Sequence, residues 1–600
     1  MGSFRTRRLS AALISATAVV AIGGGLAAGA QPAPPVRHSP VDPSVLAKVR
    51  SMTLEQKVGQ LFVTYAYGPS ADAPHPRNKA EFGVDTPAQV VQRYHPGGLI
   101  HFSWTDSLHD PHQLAELSNG TQRAATSSGA GVPLLISTDQ EQGQVTRIGE
   151  PMTQLPGNMA LGAGGSPQDA GLAAQITGEE LRAVGLNQNF APSGDVNVNP
   201  ANPIIGVRSF SADPQLAARL TGGAVRGYQD PGAAGVSAAS KHFPGHGDTN
   251  QDSHTDLPVI EHTPQQWEQL DAPPFREAIK AGTDSIMSAH IVVPKLDDSG
   301  EPSTLSPKVL TGMLRDELGY QGVITTDSLQ MDGVRQKHSD AEIPVLALRA
   351  GADQLLMPQN LQVAIDGVLG AVRSGELTED RIDASVERIL EMKRKRGVLA
   401  NPFVDVSRVD QVVGTPEHRA QAQEITDRTT TLLRNDAHQL PLAQKPGKVL
   451  VAGAGEEATG ALAERIGSRG PRASALPTGS APSPEQIAQA VQAAKGNDLT
   501  VVLTNAAWKP DNAGQLELLR ALRRENLPVV AAAVRDPYDA AHVEQVPTWL
   551  ATYSDKPVAM ESLAKVLFGE TTPRGKLPVA VPDPDQPGAD RFPLGHGLGW

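Results

Sequence analysis

Between residues 59 and 358 the chain repeats one pattern: a short apolar run, a polar end, then a stretch with helical spacing. The apolar runs are GQLFVTYA (59–66), GGLIHFS (97–103), PLLISTDQE (133–141), LNQNFAPSGDV (186–196), VSAASKHFPG (236–245), SIMSAHIVV (285–293), GVITTDSLQ (322–330) and ADQLLMP (352–358). Their length predicts buried strands, whereas DAGLAAQITGEELRAVG (169–185) and SPKVLTGMLRDELG (306–319) have helical spacing. Strands alternating with helices imply parallel strands joined by crossovers. Eight such units in this length predict an α/β fold, a (β/α)8 TIM-like barrel with insertions.

Side chains capable of chemistry stand at the ends of these runs: Asp139 and Glu141, Asp195, Lys241 and His242, His290, and Asp327. Turn formation would account for any one of them. Barrels gather their active sites at the carboxyl ends of the strands, so the recurrence predicts convergence on one site.

Beyond residue 400 the pattern changes. NPFVDVSRVDQVVGTPEH (401–418) reads as a linker, and a helix is predicted around RAQAQEITDRTTTLLRN (419–435). Strands in KVLVAGAG and DLTVVLTNAA then alternate with helices in PEQIAQAVQAAK and GQLELLRALRREN, which predicts a smaller C-terminal α/β sandwich domain. VAGAGEEATG lacks the G-x-G-x-x-G spacing of a dinucleotide turn.

At the N-terminus Arg5, Arg7 and Arg8 precede an uncharged run ending in Ala28-Gly29-Ala30, a small-residue cleavage pattern. A membrane anchor is the alternative. The Gly and Ala content and the sequel QPAPPVRHSP favour a cleaved signal peptide, with Arg7-Arg8 a partial match to twin-arginine export. The expected organisation is a signal peptide (1–30), a Pro-rich linker (31–44), a catalytic barrel (45–400) and a C-terminal domain (401–600, with linker 401–418). The mature protein is then expected to be secreted or cell-wall associated, without stable membrane insertion. A net charge of -13 argues against nucleic acid as a partner. The absence of cysteine excludes disulfides, thiolate metal sites and a cysteine nucleophile.

One stretch concentrates candidate chemistry: KHFPGHGDTNQDSHTDLP, residues 241–258. His242, His246 and His254 with three aspartates could suggest a metal, but no diagnostic ligand spacing is present and Pro244 prevents a helix that would align them. A second reading is proton transfer. Asp252 and His254, two apart, share a face of an extended segment, and a carboxylate fixes an imidazole's tautomer and favours its charged form. Asp327 would then supply an opposed carboxylate, as retaining glycoside hydrolysis requires. The third reading is a turn whose side chains cap their own backbone.

These residues resemble glycoside hydrolase family 3, in its β-N-acetylglucosaminidase branch. The resemblance rests on KHFPGHGDT…DSH and ITTDSLQMDGV, with MTLEQKVGQLF, STDQEQGQVTRI, NFAPSGDVN, IIGVRSF and IMSAHIVVPKLD; TTLLRNDAHQLPL, PRGKLPVAVP and PLGHGLGW extend it into the second domain. It implies Asp327 as nucleophile, His254 assisted by Asp252 as acid/base, and Asp139, Arg147, Arg208, Lys241 and His242 as grips on the sugar. It implies no metal and no cofactor. The expected function is an exported, retaining exo-β-N-acetylglucosaminidase acting on amino-sugar oligosaccharides such as muropeptide or chitin fragments. A phosphorylase using the same residues is the alternative, since histidine does not repel phosphate as a carboxylate would; a β-glucosidase ranks below both. The family's usual D-Q-E-G-G-R-V-x-R appears here as DQEQGQVTR, with Gln142 and Gln144 in place of Gly and Arg; Ser193-Gly194 replaces larger apolar residues.

Overall fold

The computed structural model describes residues 41–230 and 235–600; the expected signal peptide and all of the linker before residue 41 lie outside the described residues. Each of the eight apolar runs contains one strand: β1 (Phe62–Thr64), β2 (Gly98–Ile100), β3 (Leu135–Thr138), β4 (Gln188–Asn189), β5 (Ser237–Phe243), β6 (Ser285–Ser288), β7 (Val323–Thr325) and β8 (Leu355–Leu356). All eight are buried along their whole length, because one face fills the barrel and the other meets the surrounding helices. They pair in parallel in the order β7-β6-β5-β4-β3-β2-β1-β8, and a parallel bridge from Thr325 to Gln354 brings the two edges together. The closed (β/α)8 barrel expected from the pattern is therefore present.

At the amino-terminal end of β8, the buried Asp353 pairs with Arg315, Arg388 and Arg381. This charged cluster lies at the end of the barrel away from the carboxyl ends of the strands, the end that serves stability rather than chemistry.

The second layer is a six-stranded sheet of β9 (Thr431–Asn435), β10 (Lys448–Gly453), β11 (Arg472–Pro477), β12 (Leu499–Thr504), β13 (Val529–Ala533) and β14 (Thr548–Ala551), ordered β11-β10-β12-β13-β14-β9. Only β9 runs antiparallel, pairing with β14. The helix predicted around 419–435 needs correction: the helix spans Pro416–Thr426, and the last five residues of the segment, Thr431–Asn435, are β9. Threonines 429–431 and the following leucines favour an extended backbone, and Leu432 takes its place opposite Leu550.

Segment 401–418 is held against the barrel. Val404 exchanges hydrogen bonds with Asn119, while Val409 and Val413 are buried among barrel side chains. The C-terminal domain also grips the barrel segment after β4. Val207 is buried within its core, and Pro578 O accepts from Ser211 Oγ at 2.6 Å and Ala212 N at 2.9 Å.

Candidate active site

The carboxyl ends of the barrel strands surround a cavity of about 600 Å³. Seven of the eight predicted site residues line it: Asp139, Arg147, Arg208, Lys241, His242, His254 and Asp327; Asp252 stands behind His254. The volume is in the range of small-molecule sites.

Asp327 lies two residues past the end of β7, and its Oδ1 accepts the Ser328 backbone N–H at 2.7 Å. Burial alone would raise its carboxyl; His242, His290, Lys241 and the Ser328 N–H outweigh burial and hold it below the usual range. The group is therefore anionic near neutral pH, the state a nucleophile requires.

On the β3 and β5 sides, charges interlock. Lys241 Nζ donates to Asp139 Oδ1 at 2.9 Å and sits 2.6 Å from Glu141 Oε1. Arg208 forms a two-pronged pair with Glu141 at 2.8 and 2.9 Å. Burial opposes the charge on Glu141, but Arg208 and Lys241 more than offset it and keep the carboxyl ionised. Glu141 thus orients two cations that the sequence assigns to the sugar, while Asp139 keeps one oxygen for further contacts. Arg147 lies farther out, 3.9 Å from Asp139, with its guanidinium over the Phe102 ring.

His242 is oriented from behind. Its Nδ1 is 2.7 Å from Asp195 Oδ2, which leaves Nε2 on the cavity side, 3.4 Å from Arg208 Nη2. Ser193 Oγ also donates to Asp195. The sequence marks Glu141 and Asp195 as polar strand ends but assigns neither a role; their position behind the grips is a tertiary fact.

His254 lies on the long loop after β5. Its Nδ1 and its backbone N–H both meet Asp252 Oδ1, at 2.7 and 2.8 Å. The partnership expected from an extended segment is present, but the backbone is a turn: Asp252 O accepts from Thr255 N and Asp256 N. Proton-transfer pairing and turn capping are realised by the same carboxylate. With Nδ1 committed, Nε2 is the nitrogen left for a substrate.

Long-range ties place this loop. Trp267 Nε1 donates to Pro244 O at 2.9 Å, and Asn202 Nδ2 to His246 O at 2.8 Å. His262 bonds Asp248 at 3.0 Å and Asp271 at 2.6 Å; these two carboxylates raise its pKa to about 10, so it is a fixed cation. Gly333 lets the loop dock after β7, since a Cβ there would lie 2.9 Å from Ser253 O and Asp256 O. His246 faces Ser253, and burial lowers its pKa to about 4. Each histidine of the stretch thus has a different neighbour. Among the described residues, no three His, Asp or Glu side chains are grouped to hold a metal ion.

The family description "Glycosyl hydrolase family 3 N terminal domain" matches residues 53–392, and "Glycosyl hydrolase family 3 C-terminal domain" matches residues 430–600. The chain belongs to glycoside hydrolase family 3. Among solved structures, the family 3 β-N-acetylglucosaminidase of Paenibacillus sp. str. FPU-7 is 39% identical with a TM-score of 0.80, covering 88% of this chain and 99% of that one. Among curated proteins, beta-hexosaminidase A of Pseudoalteromonas piscicida is 38% identical over 379 residues, 59% of this chain and 62% of its own length. The beta-N-acetylglucosaminidase/beta-glucosidase of Cellulomonas fimi is 28% identical over 511 residues, 79% of this chain and 89% of that protein.

Within this family 3 site the sequence departures acquire causes. Gln142 adopts φ +71°, a conformation glycine takes freely. Its buried amide compensates by bonding Thr177 Oγ1 (3.0 Å), Leu155 N (3.3 Å) and Thr153 O (3.4 Å). Gln144 stands in the wall of the main cavity and of a second one, of about 230 Å³, bounded on its far side by Arg535 and Lys556 of the C-terminal domain.

Proposed function

We propose that the protein is a retaining exo-β-N-acetylglucosaminidase that releases terminal N-acetylglucosamine by double displacement. The observation that carries this reading is the presence in one cavity of an anionic Asp327 and of His254 held by Asp252. Asp327 attacks the anomeric carbon as His254 Nε2 delivers a proton to the departing oxygen. The resulting glycosyl ester is hydrolysed by water that the same imidazole deprotonates. Asp139, Lys241, Arg208 and His242 hold the terminal ring, with Glu141 and Asp195 fixing the latter three.

The relatives named for β-N-acetylglucosaminidase or beta-hexosaminidase activity support the amino-sugar assignment. The natural substrates on this reading are short cell-wall muropeptide or chitin fragments met after export. A histidine acid/base also tolerates phosphate as acceptor, which makes a phosphorylase the competing outcome.

The test is nitrophenol release from β-N-acetylglucosaminide and β-glucoside, with and without phosphate, for wild type, Asp327→Asn and His254→Ala. Expected are a preference for the acetamido sugar, near-complete loss in Asp327→Asn, and a milder loss in His254→Ala because nitrophenolate leaves readily. Sugar 1-phosphate formed in phosphate buffer would identify the phosphorylase. Wild-type inactivity on the acetamido sugar would overturn the proposal.

A further inference from the structure

His290 is fully buried two residues past the end of β6. Its Nε2 lies 2.9 Å from Ser328 O, and its Nδ1 lies 2.8 Å from Thr304 Oγ1 in the 3-10 turn Ser303–Leu305. A carbonyl oxygen only accepts, so Nε2 carries the proton. Burial holds the pKa of the ring below the ordinary 6.5; His254 and His242 act in the same direction, against Asp327 and Ser328 O. The imidazole is therefore neutral near pH 7, with the lone pair of Nδ1 turned toward the Thr304 hydroxyl, which Ser288 Oγ meets at 2.8 Å.

The turn that receives this hydrogen bond serves both members of the catalytic pair. At its start, Ser328 N–H donates to Asp327 Oδ1 at 2.7 Å. At its end, the backbone N–H groups of Asp332 and Gly333 donate to His254 O and Ser253 O, each at 3.3 Å. Between them, Ser328 O accepts Met331 N–H at 3.1 Å as well as the His290 ring. Gly333 packs so closely on His290 that a Cβ there would lie 3.2 Å from the His290 Cβ. One buried imidazole thus ties the nucleophile's turn to the end of β6, while the acid/base loop rests on the far end of that turn.

Retaining hydrolysis needs its two groups at a fixed separation across the anomeric carbon, and a displacement of about 1 Å in such an arrangement costs about 100-fold in rate. We propose that His290 is a positioning residue: by holding Ser328 O it fixes the turn 327–333, and with it the placement of Asp327 relative to His254. Being fully enclosed, the ring touches no substrate. Lys241, Arg208 and His242, which grip the terminal sugar, are held by Glu141 and Asp195 rather than by this turn. Loss of the tie should therefore cost rate and spare sugar binding. This rests on the N-acetylglucosaminidase reading above.

The test compares His290→Gln with His290→Asn. The amide nitrogen of glutamine takes the place of Nε2 and can donate to Ser328 O, whereas that of asparagine takes the place of Nδ1 and leaves Ser328 O without its side-chain donor. Two readings are made on each: kcat/KM for nitrophenyl N-acetyl-β-glucosaminide, and the inhibition constant of free N-acetylglucosamine. His290→Asn is expected to lower kcat/KM about 100-fold and His290→Gln less than about 10-fold, with the inhibition constant within about threefold of wild type in both. The proposal is overturned if His290→Asn stays within about threefold of wild-type kcat/KM, if glutamine rescues nothing, or if the inhibition constant rises in step with the loss of rate. If His290→Asn fails to fold, Thr304→Val, which leaves the ring without its Nδ1 partner, takes its place: a fall of about fivefold or more is expected, and one of less than about twofold overturns the proposal. Wild-type protein inactive on this substrate would instead remove the activity on which the proposal rests.

Discussion

Asp195 and His242 form a buried pair, Oδ2 to Nδ1 at 2.7 Å, that joins the end of β4 to the end of β5. The other carboxylate oxygen accepts the backbone N–H groups of His242 and His246, so one side chain fixes both a sugar-binding imidazole and the start of the acid/base loop. Asp195→Asn keeps the size but removes the charge, and its amide N–H can pair with His242 Nδ1 only in the other imidazole tautomer, which changes what Nε2 offers the sugar. A hydrogen bond to a charged group contributes about 1.5–3 kcal/mol, so kcat/KM should fall about 10- to 100-fold. The measurement is nitrophenyl N-acetylglucosaminide hydrolysis; a change smaller than about threefold would show that the pair is not needed for positioning.

His262 lends the same loop a pH dependence. Its folded pKa, about 10, lies above the ordinary 6.5 because Asp248 and Asp271 bond both ring nitrogens. The pair's stabilisation is fully present below about pH 6.5 and is lost as pH rises through about 10. His262→Gln should lower the melting temperature most at pH 6, and the gap to wild type should shrink steadily toward pH 10. A gap that widens with pH would contradict the assignment.

Gln142 sets backbone strain against three hydrogen bonds. Left-handed backbone costs a non-glycine residue about 1–2 kcal/mol, while each bond returns about 0.5–1.5 kcal/mol. Gln142→Gly loses the bonds but relieves the strain; Gln142→Ala loses the bonds and keeps it. The expected stability order in urea denaturation is wild type, then Gln142→Gly, then Gln142→Ala. A glycine variant more stable than wild type would mean the amide contacts contribute little.

The barrel was legible because eight apolar runs recur at helix-spaced intervals, and the polar strand ends announced the site before any contact was known. The spacing of Asp252 and His254 allows them to meet, and they do so 2.7 Å apart, through a turn rather than an extended strand. Glu141, Asp195 and His262 were not given roles, since a residue that acts through another is defined by a neighbour distant in sequence: Arg208, His242 and Asp271 respectively. β9 is hidden because only the four residues 427–430 separate it from a helix whose polar composition carries no clear stop signal.

The C-terminal domain braces the segment that carries Arg208. Val207 is buried in that domain's core with Leu433 and Tyr538, and Ser211 is bonded to Pro578 O. Val207→Ala removes two methyl-sized groups and should cost about 2 kcal/mol of stability. It should also raise KM severalfold with little change in kcat, since the slackened segment carries a ground-state grip rather than a proton-transfer group. Loss of stability with KM unchanged would restrict the second domain to a purely structural part.

Lys393 opposes His262 over the same pH range. It is fully buried in the helix Glu379–Lys395 with Gln60 Oε1 at 2.8 Å as its hydrogen-bond partner, and burial lowers its pKa to about 7. Between about pH 7 and its ordinary 10.5 the unfolded chain binds a proton that the folded chain has released. Stability therefore rises with pH across that window, by up to about 1.4 kcal/mol per pH unit from this group. Below pH 7 the folded lysine is charged and its desolvation cost is present in full. Lys393→Met should flatten the rise, so that the variant loses stability relative to wild type as pH is taken from 7 to 9.5. Urea unfolding at several pH values measures this as a difference between the two proteins, which cancels the opposite trend of His262. Parallel pH profiles for the two would show that the buried amine stays protonated up to about pH 9.5, against the effect of its burial.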